Sequence, residues 1–304
     1  PRAPGAVVAG AAGTSGAAPV RGAAGEPRVV ASPRMAPEAR PPNRVPPLAR
    51  ELGSGYDARS LVAVAALLAA GSVVGIRWYE LVDPRTIGDP LLLGIWISMG
   101  LLLAWRVEPR RDLLMIAVGL GGGTAIEWWG THAGVWSYFT GERPPPWILP
   151  AWPAATLTID RMATLVALLG GRCERALGRD LGERAHRLAY FVIVPVFVLG
   201  MTSFLWPHRE PIPSRLVVLT MVIVASYTPN PRRDVALFFA GSAMGLALEY
   251  WGTSRQCWTY YTQEVPPPVA VLAHGFAAVA FSRVAGMVEP VLARFAGVAR
   301  PAPG

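Results

Sequence analysis

The sequence predicts an all-α integral membrane protein with about eight transmembrane helices, arranged as two tandem four-helix repeats. Of the 304 residues, 52% are hydrophobic and only 16% are charged, a composition more apolar than that of ordinary soluble domains. Apolar runs long enough to cross a membrane recur from residue 60 onward. The second half of the chain also repeats segments of the first half at a constant offset of 122 residues.

Residues 1–58 differ in composition from the rest of the chain. They are rich in Ala, Gly, Pro and Arg and lack a periodic apolar face, so they cannot bury enough surface to offset the entropy of ordering. We expect a disordered tail there and a short C-terminal tail over 293–304. The first membrane repeat is expected over 59–180 and the second over 181–292.

Eight apolar runs follow the tail. The sixth is short, and the fourth and eighth begin near prolines. The candidate spans are 60–79, 90–105, 112–129, 150–170, 187–206, 214–228, 234–251 and 269–288.

Two motifs carry the repeat. The segment "PRRD" at 109–112 recurs at 231–234. The segment "EWWGTHAGVWSYFTGERPPP", which starts at Glu127, recurs as "EYWGTSRQCWTYYTQEVPPP", which starts at Glu249. Because tryptophan is rare, its recurrence at matching positions predicts a tandem duplication.

The basic residues predict the orientation in the membrane. All 28 are arginine, and those between the spans are concentrated in the even-numbered loops. The positive-inside rule then places both termini in the cytoplasm. With both "PRRD" segments on one side, each repeat has an even number of spans, which favours an axis along the membrane normal. No basic stripe with interleaved aromatics occurs, so we expect no nucleic-acid partner.

Each glutamate follows two glycines at intervals of four residues, which puts all three residues on one helical face. Small residues at this spacing let another helix approach closely. We therefore expect Glu127 and Glu249 to point into helix contacts rather than towards lipid. The glycines are Gly119, Gly123, Gly241 and Gly245.

A charge inside a span costs several kcal/mol unless it is paired or hydrated. The expected partners of Glu127 and Glu249 are Arg161 and Arg283, each 34 residues further along the chain. Pairs within a repeat and pairs across repeats fit the sequence equally well. Such pairs either fix the helix register or form part of a catalytic or binding site.

Asp160 breaks the symmetry of the two halves, because Ser282 occupies the matching position. A scaffold tolerates symmetry, so an unduplicated acid in a span indicates function. The alternative interpretation is a charge near a helix end that reaches a water-filled cleft.

Aromatic residues surround both glutamates and fill the loops after them. An interfacial aromatic belt explains such residues. Together with the repeated "PPP", they also fit a rigid lid over the outer mouth of the bundle. The candidate binding residues are Trp128, Trp129, Trp136, Tyr138, Glu249, Trp251, Trp258, Tyr260 and Arg283.

Other site chemistry is absent from the sequence. The four histidines show no metal-ligand spacing, and no nucleophile elbow, phosphate-binding loop or dinucleotide fingerprint occurs. We therefore expect no metal and no soluble cofactor.

The run "EWWGTHAGVWSYFTGERPPPWILPAWPAATL", from Glu127 to Leu157, resembles the central motif of the membrane carotenoid-biosynthesis hydratases. A weaker similarity links its Gly-x-Trp-x-aromatic part to the duplicated lycopene cyclase domains of bacteria, although the Pro-x-Glu-Glu acid pair of those cyclases is missing. The resemblance implies chemistry on a polyene within the membrane. The matching residues are Glu127, Gly130, Thr131, Gly134, Trp136, Tyr138, Pro146 and Trp152.

Hydration or cyclisation of a polyene needs an acid that protonates a double bond and aromatic rings that stabilise the resulting cation. The expected catalytic residues are Glu127, Asp160 and Arg161, with a membrane lipid or isoprenoid as substrate. One alternative is a transporter or flippase, because tandem repeats with intramembrane charges are common in transporters. The other is a structural membrane protein in which ion pairs hold the bundle together.

Overall fold

A computed structural model describes residues 48–77, 89–178 and 182–295, which fold almost entirely into α-helices. Two short strands, β1 (Trp136–Tyr138) and β2 (Trp258–Tyr260), lie in the connections. The helices, in chain order, are α1 (Leu48–Gly53), α2 (Ala58–Arg77), α3 (Pro90–Ala104), α4 (Pro109–His132), α5 (Ala151–Leu177), α6 (Gly182–Phe204), α7 (Ile212–Ser226), α8 (Pro231–Ser254) and α9 (Pro268–Phe295), with a 3-10 turn at Trp206–His208.

Six of these helices, α2, α4, α5, α6, α8 and α9, are long and apolar enough to cross a membrane. The chain is therefore an all-α, multi-pass membrane protein. The other two predicted spans, α3 and α7, have 15 residues each. A helix of that length rises about 22 Å, which is less than a hydrocarbon core of about 30 Å.

The predicted N-terminal tail is only partly described. Residues 1–47 lie outside the described residues, and residues 48–57 differ from the expectation of disorder because they contain α1 and a turn. The Trp105 indole donates a hydrogen bond to the Leu52 carbonyl at 3.0 Å, and the Arg106 amide donates to the Gly55 carbonyl at 2.6 Å. This segment is thereby fixed against the end of α3.

The glycine faces of α4 and α8 pack against α5 and α9. A Cβ atom added at Gly119 would lie 2.6 Å from the Thr156 hydroxyl oxygen, and one added at Gly241 would lie 2.7 Å from the Gly275 Cα atom. Close-packed interiors do not tolerate such overlaps, so only glycine permits these two approaches. The prediction that these faces lie in helix contacts is confirmed.

Strands β1 and β2 pair with each other in antiparallel orientation. Trp136 lies opposite Tyr260, and Tyr138 lies opposite Trp258. Residues two apart in a strand point to the same side, so these four aromatic side chains share one face of the ribbon. The sequence indicated an aromatic lid but not that strands from the two halves build it together.

Candidate functional site

Glu127 lies near the C-terminal end of α4 and is only 5% exposed. Its carboxylate accepts three hydrogen bonds, from the Trp136 indole at 3.2 Å, the Tyr138 hydroxyl at 2.8 Å and the Trp152 indole at 3.1 Å. The three donors found among the described residues are all neutral side chains. Glu127 is therefore held by hydrogen bonds rather than by an ion pair.

Glu249 has the matching position in α8 and a nearly matching environment. Its carboxylate accepts hydrogen bonds from the Trp258 indole at 2.9 Å and the Tyr260 hydroxyl at 3.0 Å. The third contact is to Nε2 of His274, at 2.9 Å. His274 occupies the position that Trp152 has in the first half, so the two carboxylates differ in one partner.

The Gly-Thr pair that follows each buried glutamate, at three and four residues further along the chain, helps to position the carboxylate and its tryptophan donor. Gly130 lies against the six-membered ring of Trp136, and an added Cβ atom would overlap that ring. Thr131 donates a hydrogen bond from its hydroxyl to the Glu127 carbonyl at 2.7 Å. The motif therefore provides the carboxylate, the space for the tryptophan that binds it, and a hydroxyl that satisfies a backbone oxygen one turn earlier.

Both glutamates line one cavity of about 150 Å³ between the two halves of the chain, referred to below as the glutamate cavity. Aromatic and aliphatic side chains make up most of its wall, and the rings of Trp152 and His274 stack across it with centroids 6.0 Å apart. Predicted binding residues in the lining are Trp129, Trp136, Tyr138, Glu249, Trp258 and Tyr260. An apolar cavity with a few convergent polar groups is typical of a site for an apolar ligand.

The two tyrosines of the ribbon lie outside the helices. Burial raises the pKa of Tyr138 well above its usual value of 10.0, and the adjacent Glu127 carboxylate raises it further. Burial and then Glu249 have the same effect on the pKa of Tyr260. Both phenols therefore stay protonated near neutral pH and act as hydrogen-bond donors.

The partners of Glu127 differ in the chemistry they allow. An indole N–H only donates a hydrogen bond, whereas a phenol both donates and accepts. Tyr138 is therefore the partner, among those described, that can exchange a proton with Glu127. Glu249 has two such partners, because Tyr260 and His274 can each donate or accept.

The predicted pairing of Glu127 with Arg161 is wrong. Arg161 lies nine residues beyond Trp152 in α5, about 13 Å further along the helix axis. It donates to Asp112 at 2.6 Å and to the Trp105 carbonyl at 2.8 Å. Because α4 and α5 run antiparallel, the residue level with Arg161 comes from the start of α4, not from its end.

Asp160 also lies away from Glu127. It is 3% exposed, and one of its oxygens, Oδ1, accepts hydrogen bonds from Arg111 at 2.9 Å and Arg233 at 2.7 Å. Its other oxygen lies 3.4 Å from Arg161. The expected catalytic group of Glu127, Asp160 and Arg161 is therefore divided between two ends of the bundle.

Arg283 repeats the behaviour of Arg161, so its predicted pairing with Glu249 is wrong as well. Its guanidinium donates to Asp234 at 2.7 Å and to the Tyr190 hydroxyl at 2.7 Å, and it also contacts the Val224 carbonyl. Together with Arg111, Asp112, Asp160, Arg161, Arg233 and Asp234 it forms what is called below the aspartate–arginine cluster.

Besides Arg283, two predicted binding residues lie off the glutamate cavity. Trp128 is 48% exposed and stacks against His132 with ring centroids 4.9 Å apart. Trp251 lies 6.5 Å from Trp258 between ring centroids and is absent from the cavity lining. Trp128 fits the aromatic-belt interpretation, in which tryptophans lie at the membrane interface, whereas Trp251 is half-buried.

Sequence reasoning missed four partners of the charged groups. Trp152 and His274 hydrogen-bond the glutamates, and Asp112 and Asp234 pair with the arginines. The aspartates were visible as the last residue of each "PRRD" segment. Trp152 and His274 occupy matching positions in the two halves, which could have indicated that this position faces a common site.

Comparison with protein-family models, with curated proteins and with solved structures found no match. The fold and the site therefore define a class, a multi-pass helical membrane protein with two buried glutamates at one apolar cavity. The likeness to the carotenoid hydratases stays a prediction.

Proposed function

We propose that the protein is an enzyme that transfers a proton to a carbon–carbon double bond of an isoprenoid, with Glu127 as the proton donor. The observation that carries this proposal is that a buried carboxylate lines an apolar cavity and is bound by neutral donors. A carboxylate held by arginine stays ionised and is a poor proton donor. The arginines instead lie at the aspartate–arginine cluster, so no guanidinium among the described residues pairs with either glutamate.

The cavity suits one end of a long substrate. A volume of about 150 Å³ is close to that of an apolar cavity that accommodates benzene, so it holds a terminal isoprene unit while the rest of the chain stays in the bilayer. Protonation of the terminal double bond by Glu127 leaves a carbocation on the substrate and a carboxylate on the enzyme. The faces of Trp136 and Trp258 stabilise a cation at this place.

Glu249 and His274 provide the second proton transfer. In hydration, water attacks the cation and its proton passes to the Glu249–His274 pair. In cyclisation, a second double bond attacks instead, and the pair removes a proton from the ring carbon. Both sequences need an acid and a base on opposite sides of one cavity, and neither needs a soluble cofactor.

We also propose that the chain is a tandem duplication of a four-helix unit and spans the membrane eight times. Matching elements support this, because both ends of α8 are numbered 122 higher than those of α4, and α3 and α7 differ by the same offset. The pairing of β1 with β2 is also self-complementary. The short helices α3 and α7 can cross where the bilayer thins locally. The arginine-rich loops favour cytoplasmic termini.

The test compares Glu127→Gln with Glu249→Gln in the full chain, expressed in a bacterial host that makes a linear polyene carotenoid. Lipid extracts are analysed by mass spectrometry for a product that has gained water or an isomer of equal mass. We expect Glu127→Gln to abolish the product while the purified protein stays folded. Glu264→Gln is the matched control, because Glu264 is an exposed loop glutamate.

Three outcomes contradict the proposal. If the wild-type chain leaves the extracts unchanged, there is no such activity. If Glu127→Gln retains full product formation, Glu127 is not the acid. If both glutamine variants lose folded protein equally, the carboxylates are scaffolding. Uptake of polyene into proteoliposomes without chemical change would indicate a carrier instead.

A further inference from the structure

A second cavity, of about 420 Å³, lies at the end of the bundle opposite the ribbon. It is called below the arginine cavity, because Arg111, Arg233 and Arg283 line it. Two acidic residues, Asp234 and Glu289, also line this cavity. The other polar groups in its wall are hydroxyl and amide groups, which belong to Tyr227, Thr228, Asn230 and Ser282.

Two of the arginines share a single carboxylate. Arg111 and Arg233 both donate to Oδ1 of Asp160, and their side chains remain 34% and 38% exposed. The position that matches Asp160 in the second half is Ser282, which makes a hydrogen bond of 3.3 Å with Arg233 but carries no charge. Two guanidinium groups are thus held close together with one anion between them.

The charge of the third arginine is already paired with a carboxylate, but one of its N–H groups lacks a hydrogen-bond acceptor among the described residues. Arg283 pairs with Asp234 at 2.7 Å, and its side chain is 8% exposed. Its Nε atom has no hydrogen-bond partner within the described part of the chain. A buried N–H group without a partner is costly, so an acceptor that reaches this group would stabilise the folded state.

Arg111 and Arg233, which share one carboxylate and remain partly exposed, favour an anion as that acceptor. The cluster contains four arginines and three aspartates, all in described residues. Glu289 also lines the cavity, and its exposed carboxylate interacts electrostatically with Arg111 without forming an ion pair, so it offsets part of the positive charge. Guanidinium groups match the geometry of phosphate oxygens with two parallel hydrogen bonds.

We propose that the arginine cavity binds one phosphate-class anion, held by Arg111 and Arg233 with Arg283 at its base. The anion comes either from the headgroup of an acidic phospholipid or from free phosphate. Basic pockets between helices at a membrane surface are suited to lipid headgroups. The site is independent of the proposed chemistry at the glutamate cavity.

The test measures the thermal unfolding midpoint of the full chain in neutral detergent by tryptophan fluorescence. Phosphatidylglycerol, phosphatidylcholine, inorganic phosphate and chloride are added separately, with the salts at equal ionic strength to control for screening. A ligand that binds only the folded state raises the midpoint with concentration. A rise with inorganic phosphate identifies a free-anion site. A rise with phosphatidylglycerol alone identifies a headgroup site.

Adjacent arginines provide matched variants. Arg233→Gln should weaken the apparent affinity about tenfold or more, because it removes a direct donor. Arg232→Gln should leave it unchanged, because Arg232 pairs with Glu174 at 2.8 Å and does not line the cavity. Ser282→Asp removes no existing ion pair and should also weaken binding, because it supplies a second carboxylate.

The proposal is overturned if neither phosphate nor phosphatidylglycerol raises the midpoint above the chloride and phosphatidylcholine controls. It is equally overturned if Arg232→Gln weakens binding as much as Arg233→Gln does. Should Arg233→Gln fail to fold, Ser282→Asp and Glu289→Gln decide, since the first must weaken binding and the second must strengthen it. Unchanged affinity in both of these variants would reject the site.

Discussion

The ion pair between Arg161 and Asp112 is expected to stabilise the bundle, and its removal gives a defined prediction. The two side chains are 5% and 11% exposed, and their charged atoms lie 2.6 Å apart. Breaking one partner of a buried pair costs about 3–5 kcal/mol, because the other charge stays buried. After Arg161→Gln, Asp160 keeps Arg111 and Arg233, and Asp112 keeps the Glu108 amide. We therefore expect a loss near the lower limit, about 3 kcal/mol.

The measurement is the free energy of unfolding in mixed micelles, followed by circular dichroism. The double variant Asp112→Asn with Arg161→Gln removes both charges, so it should be more stable than Arg161→Gln alone by about 2 kcal/mol. Arg110→Gln is the control. Arg110 is exposed, and we expect a change within about 0.5 kcal/mol.

The reasoning is refuted if Arg161→Gln costs less than about 1 kcal/mol, or if the double variant is no more stable than the single one. Activity gives a second comparison. Arg161 is far from the glutamate cavity, so the folded fraction of Arg161→Gln should still convert isoprenoid. Normal folding with lost conversion would return Arg161 to the catalytic group.

Two further predictions concern the ribbon. Gly130→Ala places a methyl group that overlaps the ring of Trp136, and such overpacking should cost about 1–3 kcal/mol. Gly121→Ala meets no atom within 4 Å and should be neutral or stabilising in the same unfolding assay. The raised pKa of Tyr138 means that its folded form keeps the proton when the unfolded form loses it. The free energy of unfolding should therefore be independent of this group below pH 10 and should fall as the pH rises above 10. In Tyr138→Phe the fall with pH should be less steep. Equal pH dependence in the wild-type protein and the variant would contradict this prediction.

Much of the fold could be predicted because the membrane imposes simple rules. Apolar runs gave helices within a few residues of their observed bounds at α4 and α8, since hydropathy and length decide whether a span forms. The glycine faces were predictable because close approach of two helices permits only small residues. The ordered structure of residues 48–57 was not predictable, because it depends on a hydrogen bond from the Trp105 side chain, about fifty positions away.

The candidate site was predictable only in part. The burial of Glu127 followed from the glycine face of its own helix. The hydrogen-bond partners of Glu127 could not be predicted in this way, because a separation of 34 residues does not determine which part of α4 lies beside Arg161. That depends on where the connecting loop ends, and the loop contains β1 and a proline-rich turn before α5. Indole donors are also uncharged, so a search of the sequence for oppositely charged partners of Glu127 finds the arginines and not the tryptophans.

The two ends of the bundle solve the problem of buried carboxylates in different ways. At the aspartate–arginine cluster, guanidinium groups pair directly with Asp112 and Asp234, which suits scaffolding. At the glutamate cavity, indole, phenol and imidazole groups contact the carboxylates, and no arginine among the described residues pairs with them. The two glutamates share the same indole and phenol partners and differ only where Trp152 is replaced by His274. An indole cannot accept a proton and an imidazole can, so this is the one position at which the proposed mechanism distinguishes Glu127 as the acid from Glu249 as part of the base.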